Sequence, residues 1–154
     1  MNRKQFKASK GFTLLEVMVV IVILGILGSM VVPNLIGNLD KANIQKAISD
    51  VSALEGAMIR YKTDNYQFPT TDQGLEALVE ETDIEPLPRR FLDGGYINRL
   101  PEDPWGNEYI LLSPGEMGKF DIFSAGADGE PGTDDDIGNW NLEEWRSGKK
   151  QSDS

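Results

Sequence analysis

An apolar run that contains a single carboxylate is the feature that most constrains this chain. Residues 10–33 read KGFTLLEVMVVIVILGILGSMVVP, and the sixteen residues from Val17 to Val32 carry no charge. A helix that crosses a bilayer needs about 20 predominantly apolar residues, so the run is long enough only if it starts near Phe12 and includes Glu16. Because an unpaired carboxylate in a membrane costs several kcal/mol, Glu16 needs a cationic partner.

A secretory signal peptide is an alternative interpretation of these residues. Such peptides begin with basic residues, which here are Arg3, Lys4, Lys7 and Lys10. The apolar run exceeds the usual length of about 7 to 15 residues, and no small-residue cleavage site closes it. It continues instead through Pro33 into a helical pattern, which favours a membrane helix joined to a folded domain.

Composition limits the functions that remain. Of the 154 residues, 25 are Asp or Glu and 15 are Lys or Arg, so the surface lacks the basic footprint of nucleic-acid binding. There is no cysteine for disulfides or thiolate metal sites, and no histidine for His-based triads or most zinc sites. We therefore predict no nucleic-acid partner and no enzymatic activity. A site for a hard cation stays open.

A second helical pattern follows Pro33. Apolar residues recur three or four positions apart on one face, and they are Ile44, Ala47, Ile48, Val51, Leu54, Met58 and Tyr61. Joined to the apolar run, they predict one helix of roughly 50 residues whose second half is covered by the C-terminal domain. Alternatively, a kink at Pro33 separates the membrane segment from an ordinary core helix.

The remaining segments predict a small antiparallel sheet. Thr70 and Gln73 have the spacing of a capping box that opens a short amphipathic helix. Residues 108–113 (EYILLS) and 119–124 (KFDIFS) are strand-like and flank the loop PGEMG, which indicates a hairpin. The fold class is therefore α+β, with a long N-terminal helix packed against a small antiparallel β-sheet. We predict core positions rather than subunit contacts for the three tryptophans, which are Trp105, Trp140 and Trp145.

Residues 124–140, SAGADGEPGTDDDIGNW, form an acidic segment rich in glycine. Adjacent carboxylates repel one another, so a fixed loop of this composition needs an external partner. Ca²⁺ takes six to eight oxygen ligands, and glycine lets backbone carbonyls turn toward the ion. The spacing is not that of an EF-hand. From the residues alone, a calcium site and a solvated acidic loop are equally supported.

The N-terminal residues resemble the processing signal of type IV pilins and type II secretion pseudopilins. The shared features are a basic leader ending at Gly11, the sequence FTLLEV after it, and a long apolar run. The resemblance implies that prepilin peptidase cuts after Gly11 and methylates the new amino terminus, Phe12. It also implies that Glu16 meets the terminal ammonium of a neighbouring subunit's Phe12 during assembly. A carboxylate lying at the headgroup level is the alternative.

Three longer segments resemble the major pseudopilin family of type II secretion systems, the G subunit. They are YKTDNYQFPTTDQGLEAL (61–78), GGYINRLPEDPWGNEYILLSPGEMGKFDIFSAGADG (94–129) and DDIGNW (135–140). The resemblance implies a leader at 1–11, a transmembrane and assembly helix at 12–33, and a periplasmic domain at 34–154 that includes the acidic loop 124–140. It further implies local unwinding between Gly25 and Pro33 on assembly, with ordinary small-residue packing between membrane helices as the alternative.

The same resemblance implies a calcium site in the acidic loop. The implied ligands are the side chains of Asp128, Asp135 and Asp136 and the backbone carbonyls of Ala125 and Glu130. Asp134 is expected to lie outside this ligand set. Calcium is expected to order the loop against the hairpin, in place of the C-terminal disulfide that type IV major pilins usually close.

The implied function is that of a non-enzymatic subunit of the pseudopilus, a periplasmic helical filament that helps to drive folded proteins through the outer-membrane secretin. The chain would be a single-pass inner-membrane protein with its C-terminal domain in the periplasm. Implied partners are further copies of the chain, prepilin peptidase, minor pseudopilins, the inner-membrane assembly platform and, indirectly, the secretin and exported proteins. The alternatives are a type IV pilin, a minor pseudopilin, or a solitary membrane-anchored calcium-binding or hydrolytic domain.

Overall fold

A computed structural model describes residues 12–150, without the side chains of residues 29–37. The elements in chain order are helix α1 (Leu14–Asn65), a turn of 3-10 helix (Leu75–Leu78), strands β1 (Ile110–Leu112), β2 (Asp121–Ser124) and β3 (Ile137–Gly138), and helix α2 (Leu142–Arg146). The chain divides into two compact units, with the boundary between Asp40 and Lys41. The predicted leader at 1–11, including Gly11, lies outside the described residues.

Helix α1 begins directly after Thr13, which caps it. The Glu16 N–H donates to Thr13 Oγ1 at 3.2 Å, and the Val17 N–H donates to the Thr13 carbonyl at 3.3 Å. This cap was not predicted from the sequence, although threonine followed three residues later by glutamate is a known signal for a helix start. The cap satisfies one of the amide groups that a helix leaves unpaired at its N-terminus.

The side chains at the start of the first unit, from Phe12 to Gly28, are exposed in the single chain. Within the described residues, no helix combines the length and the apolar character needed to cross a membrane. The predicted transmembrane segment at 12–33, and the stretch from Gly25 to Pro33 for which unwinding on assembly was predicted, both include side chains at 29–33 that lie outside the described residues. Both stay predictions.

The predicted amphipathic face of α1 is the centre of the core in the second unit. Five of the predicted residues are at most 1% exposed, and they are Ala47, Val51, Leu54, Met58 and Tyr61; Ala57, which was not predicted, is equally buried. Apolar side chains from the 3-10 turn and the sheet complete the core, among them Leu78, Ile122 and Ile137. Full burial of one such side chain stabilises the fold by about 1.5–3 kcal/mol. With 52 residues in α1, the predicted long helix and its cover are confirmed.

Thr70 and Gln73 form the predicted capping box. The Thr70 N–H donates to Gln73 Oε1 at 2.9 Å, and the Gln73 N–H donates to Thr70 Oγ1 at 3.2 Å. The expected short amphipathic α-helix is instead a single turn of 3-10 helix at Leu75–Leu78. It stops there because the Leu78 carbonyl accepts the N–H groups of Tyr96 and Ile97, at 2.7 and 3.2 Å.

Strands β1 and β2 form the predicted hairpin. They pair antiparallel, with Ile110 opposite Phe123 and Leu112 opposite Asp121. Strand β3 was not predicted, and it adds to the other edge of β2 to give the order β1-β2-β3. The α+β prediction, with a long N-terminal helix and a small antiparallel sheet, is confirmed.

Trp105 and Trp145 contribute to the core, as predicted, whereas Trp140 is half-buried outside the core cluster. Trp145 is buried, and Trp105 is partly buried against the core. The Trp140 ring contacts the Phe123 ring, with 5.4 Å between centroids. It also covers Gly138, where any Cβ would collide with the indole. The glycine in β3 therefore makes room for this tryptophan.

Two buried tyrosines predict opposite effects of losing a hydroxyl. Tyr109 Oη donates to Asp50 Oδ2 at 2.9 Å, so Tyr109→Phe should lower the free energy of unfolding by about 1–2 kcal/mol. Tyr61 Oη is buried without a hydrogen-bond partner among the described residues, so Tyr61→Phe should leave stability unchanged or raise it. Urea unfolding of the full chain in detergent at pH 8 measures both, and a larger loss for Tyr61→Phe would contradict the assignment.

Burial also links these phenols to alkaline stability. Burial raises the pKa of Tyr61 and Tyr109 above the ordinary value of 10.0, and the Asp50 carboxylate raises the pKa of Tyr109 further. Because the folded chain keeps both phenols neutral, their contribution to stability is complete below about pH 10 and is lost as the pH rises above it. Tyr109→Phe should therefore show a shallower decline in unfolding free energy between pH 10 and 11 than the parent chain.

Candidate functional site

Glu16 lies in the first turn of α1, one turn from Phe12. The Phe12 side chain is 84% exposed and Glu16 is also exposed. Within residues 12–150, no basic side chain forms an ion pair with the Glu16 carboxylate. The carboxylate is thus available to a cationic group of another molecule, and its predicted pairing with a neighbour's Phe12 stays a prediction.

The acidic loop is closed at its base by the sheet. Ser124 at the end of β2 pairs with Ile137 at the start of β3. Residues 125–136 therefore form the loop that connects these two paired strands. Both strands are fully buried. The closure brings the predicted carboxylate ligands into one loop anchored on the core.

Asp135 accepts hydrogen bonds from across the loop. Its Oδ2 accepts the N–H groups of Ala127 and Asp128, at 2.7 and 3.2 Å, and its Oδ1 accepts the Thr133 hydroxyl. Gly126, with φ of 67°, permits this approach, because a Cβ there would collide with the Asp135 carboxylate. Burial raises the pKa of Asp135, but the bonds from Thr133, Asp128 and Ala127 outweigh it and hold the pKa below its usual value.

Asp136 is the most buried of the predicted side-chain ligands, at 6% exposed. Its Oδ2 accepts the Gly132 N–H at 2.8 Å, whereas its Oδ1 is buried without a hydrogen-bond partner among the described residues. Burial raises the pKa of Asp136; the Gly132 amide opposes this, and the nearby carboxylates of Asp135 and Asp128 raise the pKa further. A buried acceptor oxygen without a donor is an expected place for a cation.

The other predicted ligands have different environments. Asp128 is exposed and its Oδ1 accepts the Glu130 N–H at 2.8 Å. The Glu130 carbonyl lies 3.2 Å from the Thr133 hydroxyl oxygen, whose hydrogen goes to Asp135, and Ala125 is buried. Asp134 is exposed, and its carbonyl accepts a hydrogen bond from Lys150 Nζ at 2.9 Å.

Helix α2 and the residue before it hold the loop from the other side. The Asp136 carbonyl accepts both the Asn141 Nδ2 group at 2.9 Å and the Trp145 indole N–H at 3.1 Å. These contacts were not predicted from the sequence, and no local pattern signals them. They fix the backbone of Asp136, whose Oδ1 has no hydrogen-bond donor in the described part of the chain.

The donors suit calcium in their chemistry. Every candidate ligand is a carboxylate or carbonyl oxygen, which a hard cation prefers, and no donor from the described part of the chain competes for Asp136 Oδ1. Asp136 also lines a cavity of about 400 Å³ with Thr133 and Asp121. In residues 12–150, however, no three acidic side chains converge as a set of metal ligands. Binding would therefore require some of the present hydrogen bonds, such as those to Asp135, to be exchanged for the ion.

Comparisons with known proteins cover nearly the whole chain. A family model described as Type II secretion system (T2SS), protein G matches residues 34–140, and one described as prokaryotic N-terminal methylation motif matches residues 6–32. The Type II secretion system core protein G of Aeromonas hydrophila is 65% identical over 142 residues, which are 92% of this chain and 99% of the relative. That of Vibrio cholerae serotype O1 is 58% identical over 146 residues, covering 93% and 99% of the two chains.

A solved structure is also similar. The crystal structure of the major pseudopilin from the type 2 secretion system of enterohaemorrhagic Escherichia coli matches with a TM-score of 0.67 and 56% sequence identity. The match covers 73% of this chain and 94% of that chain.

Proposed function

The chain belongs to the type II secretion system protein G family, and from this membership we propose how its described residues serve a filament. As a member, it is a major pseudopilin, a structural subunit that assembles into a pseudopilus with other components of the secretion system. This excludes the alternatives of a type IV pilin, a minor pseudopilin and a solitary anchored domain. The observation that carries the function is the joining of the methylation motif at 6–32 to the family domain at 34–140.

We propose that prepilin peptidase cleaves the chain after Gly11 and methylates Phe12. Residues 12–33 then anchor the mature chain in the inner membrane as a single span, and residues 34–154 form the periplasmic domain. The match to the N-terminal methylation motif supports the processing step. The uncharged stretch from Val17 to Val32 supports the anchor.

In the filament, we propose that Glu16 of one subunit pairs with the terminal ammonium of a neighbouring subunit's Phe12. The support is the lack of an ion-pair partner for Glu16 in the described part of the chain. In apolar surroundings either charge alone is costly. Pairing therefore stabilises the one axial register between neighbouring subunits that brings the two charges together.

We further propose that the acidic loop binds calcium through the carboxylates of Asp128, Asp135 and Asp136, with carbonyls from Ala125 and Glu130. The unpaired, buried Asp136 Oδ1 supports this assignment most directly. Calcium would supply positive charge that offsets the mutual repulsion of the three carboxylates. Asp135 bridges the two halves of the loop through hydrogen bonds from Ala127 and Asp128, and calcium would replace some of these contacts.

The partners follow from the filament. We propose that the chain polymerises with itself, is processed by prepilin peptidase, and meets minor pseudopilins and the inner-membrane assembly platform as the filament grows. Exported proteins and the secretin are engaged by the assembled pseudopilus rather than by one subunit. The subunit itself catalyses no reaction in this scheme.

Co-expression of the full chain with prepilin peptidase in cells that lack their own major pseudopilin tests the proposal. Mass spectrometry of the mature chain should find methylated Phe12 as the first residue, and secretion through the type II system should be restored. A catalytically inactive peptidase is the control and should leave residues 1–11 attached. A mature chain that begins elsewhere, or processed chain without secretion, would contradict the proposal.

A further inference from the structure

We propose that Asp103 and Ser124 form a hydrogen-bonded relay that fixes the orientation of the Ala125 carbonyl. The inference deepens the proposed calcium function and rests on it, since Ala125 is one of the proposed carbonyl ligands. Neither Asp103 nor Ser124 is itself among the proposed ligands. Both would act as positioning residues for the loop.

Asp103 is a carboxylate buried in the core, at 4% exposed, in the turn that precedes β1. Its Oδ1 accepts the N–H groups of Trp105 and Asn107, at 3.0 and 2.7 Å, and its own N–H donates to the Asn107 carbonyl at 2.8 Å. The turn thus holds the carboxylate in place. Its second oxygen, Oδ2, accepts the Ser124 hydroxyl at 2.6 Å.

The chemistry of these groups sets the direction of the relay. A carboxylate only accepts, and a serine hydroxyl has one hydrogen to donate. Ser124 must therefore donate its hydroxyl hydrogen to Asp103. The lone pairs of its oxygen can then accept a hydrogen bond from another group. They accept the Gly126 N–H at 3.1 Å.

The Gly126 N–H belongs to the same peptide group as the Ala125 carbonyl. This bond is trans, because the cis bonds among the described residues are Glu85–Pro86 and Ser113–Pro114. In a planar trans peptide the N–H and C=O point in opposite directions, so holding the Gly126 N–H toward Ser124 turns the Ala125 carbonyl away from it. The relay therefore determines where this carbonyl lies at the entry to the loop.

The relay also acts on the carboxylates. The next amide along the chain, Ala127 N–H, donates to Asp135 Oδ2 at 2.7 Å, and Gly126 itself lies against the Asp135 carboxylate. Ser124 is fully buried, so water cannot readily replace its hydroxyl. Loss of the relay would free a peptide group that contacts one proposed ligand and contains another.

Calcium titration and amide exchange of the full chain in detergent test the relay with Ser124→Ala, Asp103→Asn and the double variant. In Asp103→Asn, the side-chain oxygen would accept the N–H groups of Trp105 and Asn107, so the NH2 group would face Ser124. The serine hydroxyl hydrogen would then lose its acceptor. By calorimetry, each single variant should weaken calcium binding by about tenfold or more. The double variant should weaken it no further than the larger single effect, because both changes break one relay.

Tyr109→Phe is the control, since it removes a hydrogen bond to Asp50, which has no part in the relay, and should lower stability without changing calcium affinity. In calcium-free protein, Ser124→Ala should also speed hydrogen exchange of the Gly126 amide. If the parent binds calcium and Ser124→Ala binds it within twofold, the relay is overturned. If the parent binds no calcium, the proposed calcium function is wrong. The relay is then tested by hydrogen exchange alone, and an unchanged exchange rate of the Gly126 amide in Ser124→Ala would overturn it.

Discussion

Replacing Asp136 with Asn should abolish the calcium response of the domain while leaving the calcium-free chain at least as stable as the parent. The carboxylate is buried beside Asp135 and Asp128, and one of its oxygens has no donor among the described residues. Without calcium, a neutral amide removes repulsion from the loop. With calcium, the same change removes a charged ligand. The substitution should therefore lower stability in calcium and maintain or raise it without calcium.

Thermal unfolding with calcium and with chelator measures both effects. Calcium at about 100 times its dissociation constant stabilises a protein by about 2.7 kcal/mol, which raises the melting temperature of a domain of this size by roughly 10 °C. Asp136→Asn should lose that shift. Asp134→Asn is the matched control, because Asp134 is close in sequence and exposed, and its hydrogen bond within the described residues uses its carbonyl. Equal shifts in both variants would contradict the assignment of Asp136.

Replacing Glu16 with Gln should yield a chain that is processed normally but does not enter filaments. The substitution removes the charge and keeps the shape, so the neighbour's terminal ammonium is left unpaired in apolar surroundings. Breaking a buried ion pair on one side costs about 3 kcal/mol or more, which is on the order of 100-fold in each subunit contact. The Thr13 cap uses backbone of Glu16 rather than its carboxylate, so the helix start should survive.

Processing and assembly must be measured separately for this variant. Mass spectrometry of the membrane fraction reports cleavage after Gly11, and electron microscopy of sheared cells reports filaments. Met18→Leu is the control, because it changes an apolar side chain of the same exposed segment with little change in volume. Filaments of Glu16→Gln in parental amounts would show that Glu16 has no part in assembly.

Much of the fold could be predicted from the sequence because its main elements have strong local patterns. The apolar spacing between Ile44 and Tyr61 predicts the buried face of α1, and alternating apolar residues around PGEMG predict the hairpin. Strand β3 has two residues, Ile137 and Gly138, which is too short for any periodicity. It exists because β2 offers a free edge and the core buries Ile137.

Helix α2 was missed for a related reason. Its five residues follow a polar segment and have little helical signal of their own. Contacts with distant residues hold it, including the bond from Trp145 to the Asp136 carbonyl and that from Arg146 to Ser52 Oγ at 3.0 Å. Such long-range pairings decide the local structure but leave no trace in local sequence spacing.

The candidate site likewise has residues that the sequence could predict and residues that it could not. From composition, a cation-binding loop and a solvated acidic loop were equally supported, and only the family resemblance selected Asp128, Asp135 and Asp136 as ligands. The residues that hold the loop could not be found in this way. Ser124 and Asp103 are brought together by the sheet and a turn, and a buried serine or aspartate in a strand has many ordinary explanations.

The central claim is that an ion pair between neighbouring subunits sets the register of the filament. Cryo-electron microscopy of assembled filaments, made from chain processed by prepilin peptidase, tests it most directly. The predicted result is a methylated Phe12 nitrogen within roughly 4 Å of a neighbouring subunit's Glu16 carboxylate, repeated along the filament. A well-resolved filament in which these two groups face away from each other would contradict the claim.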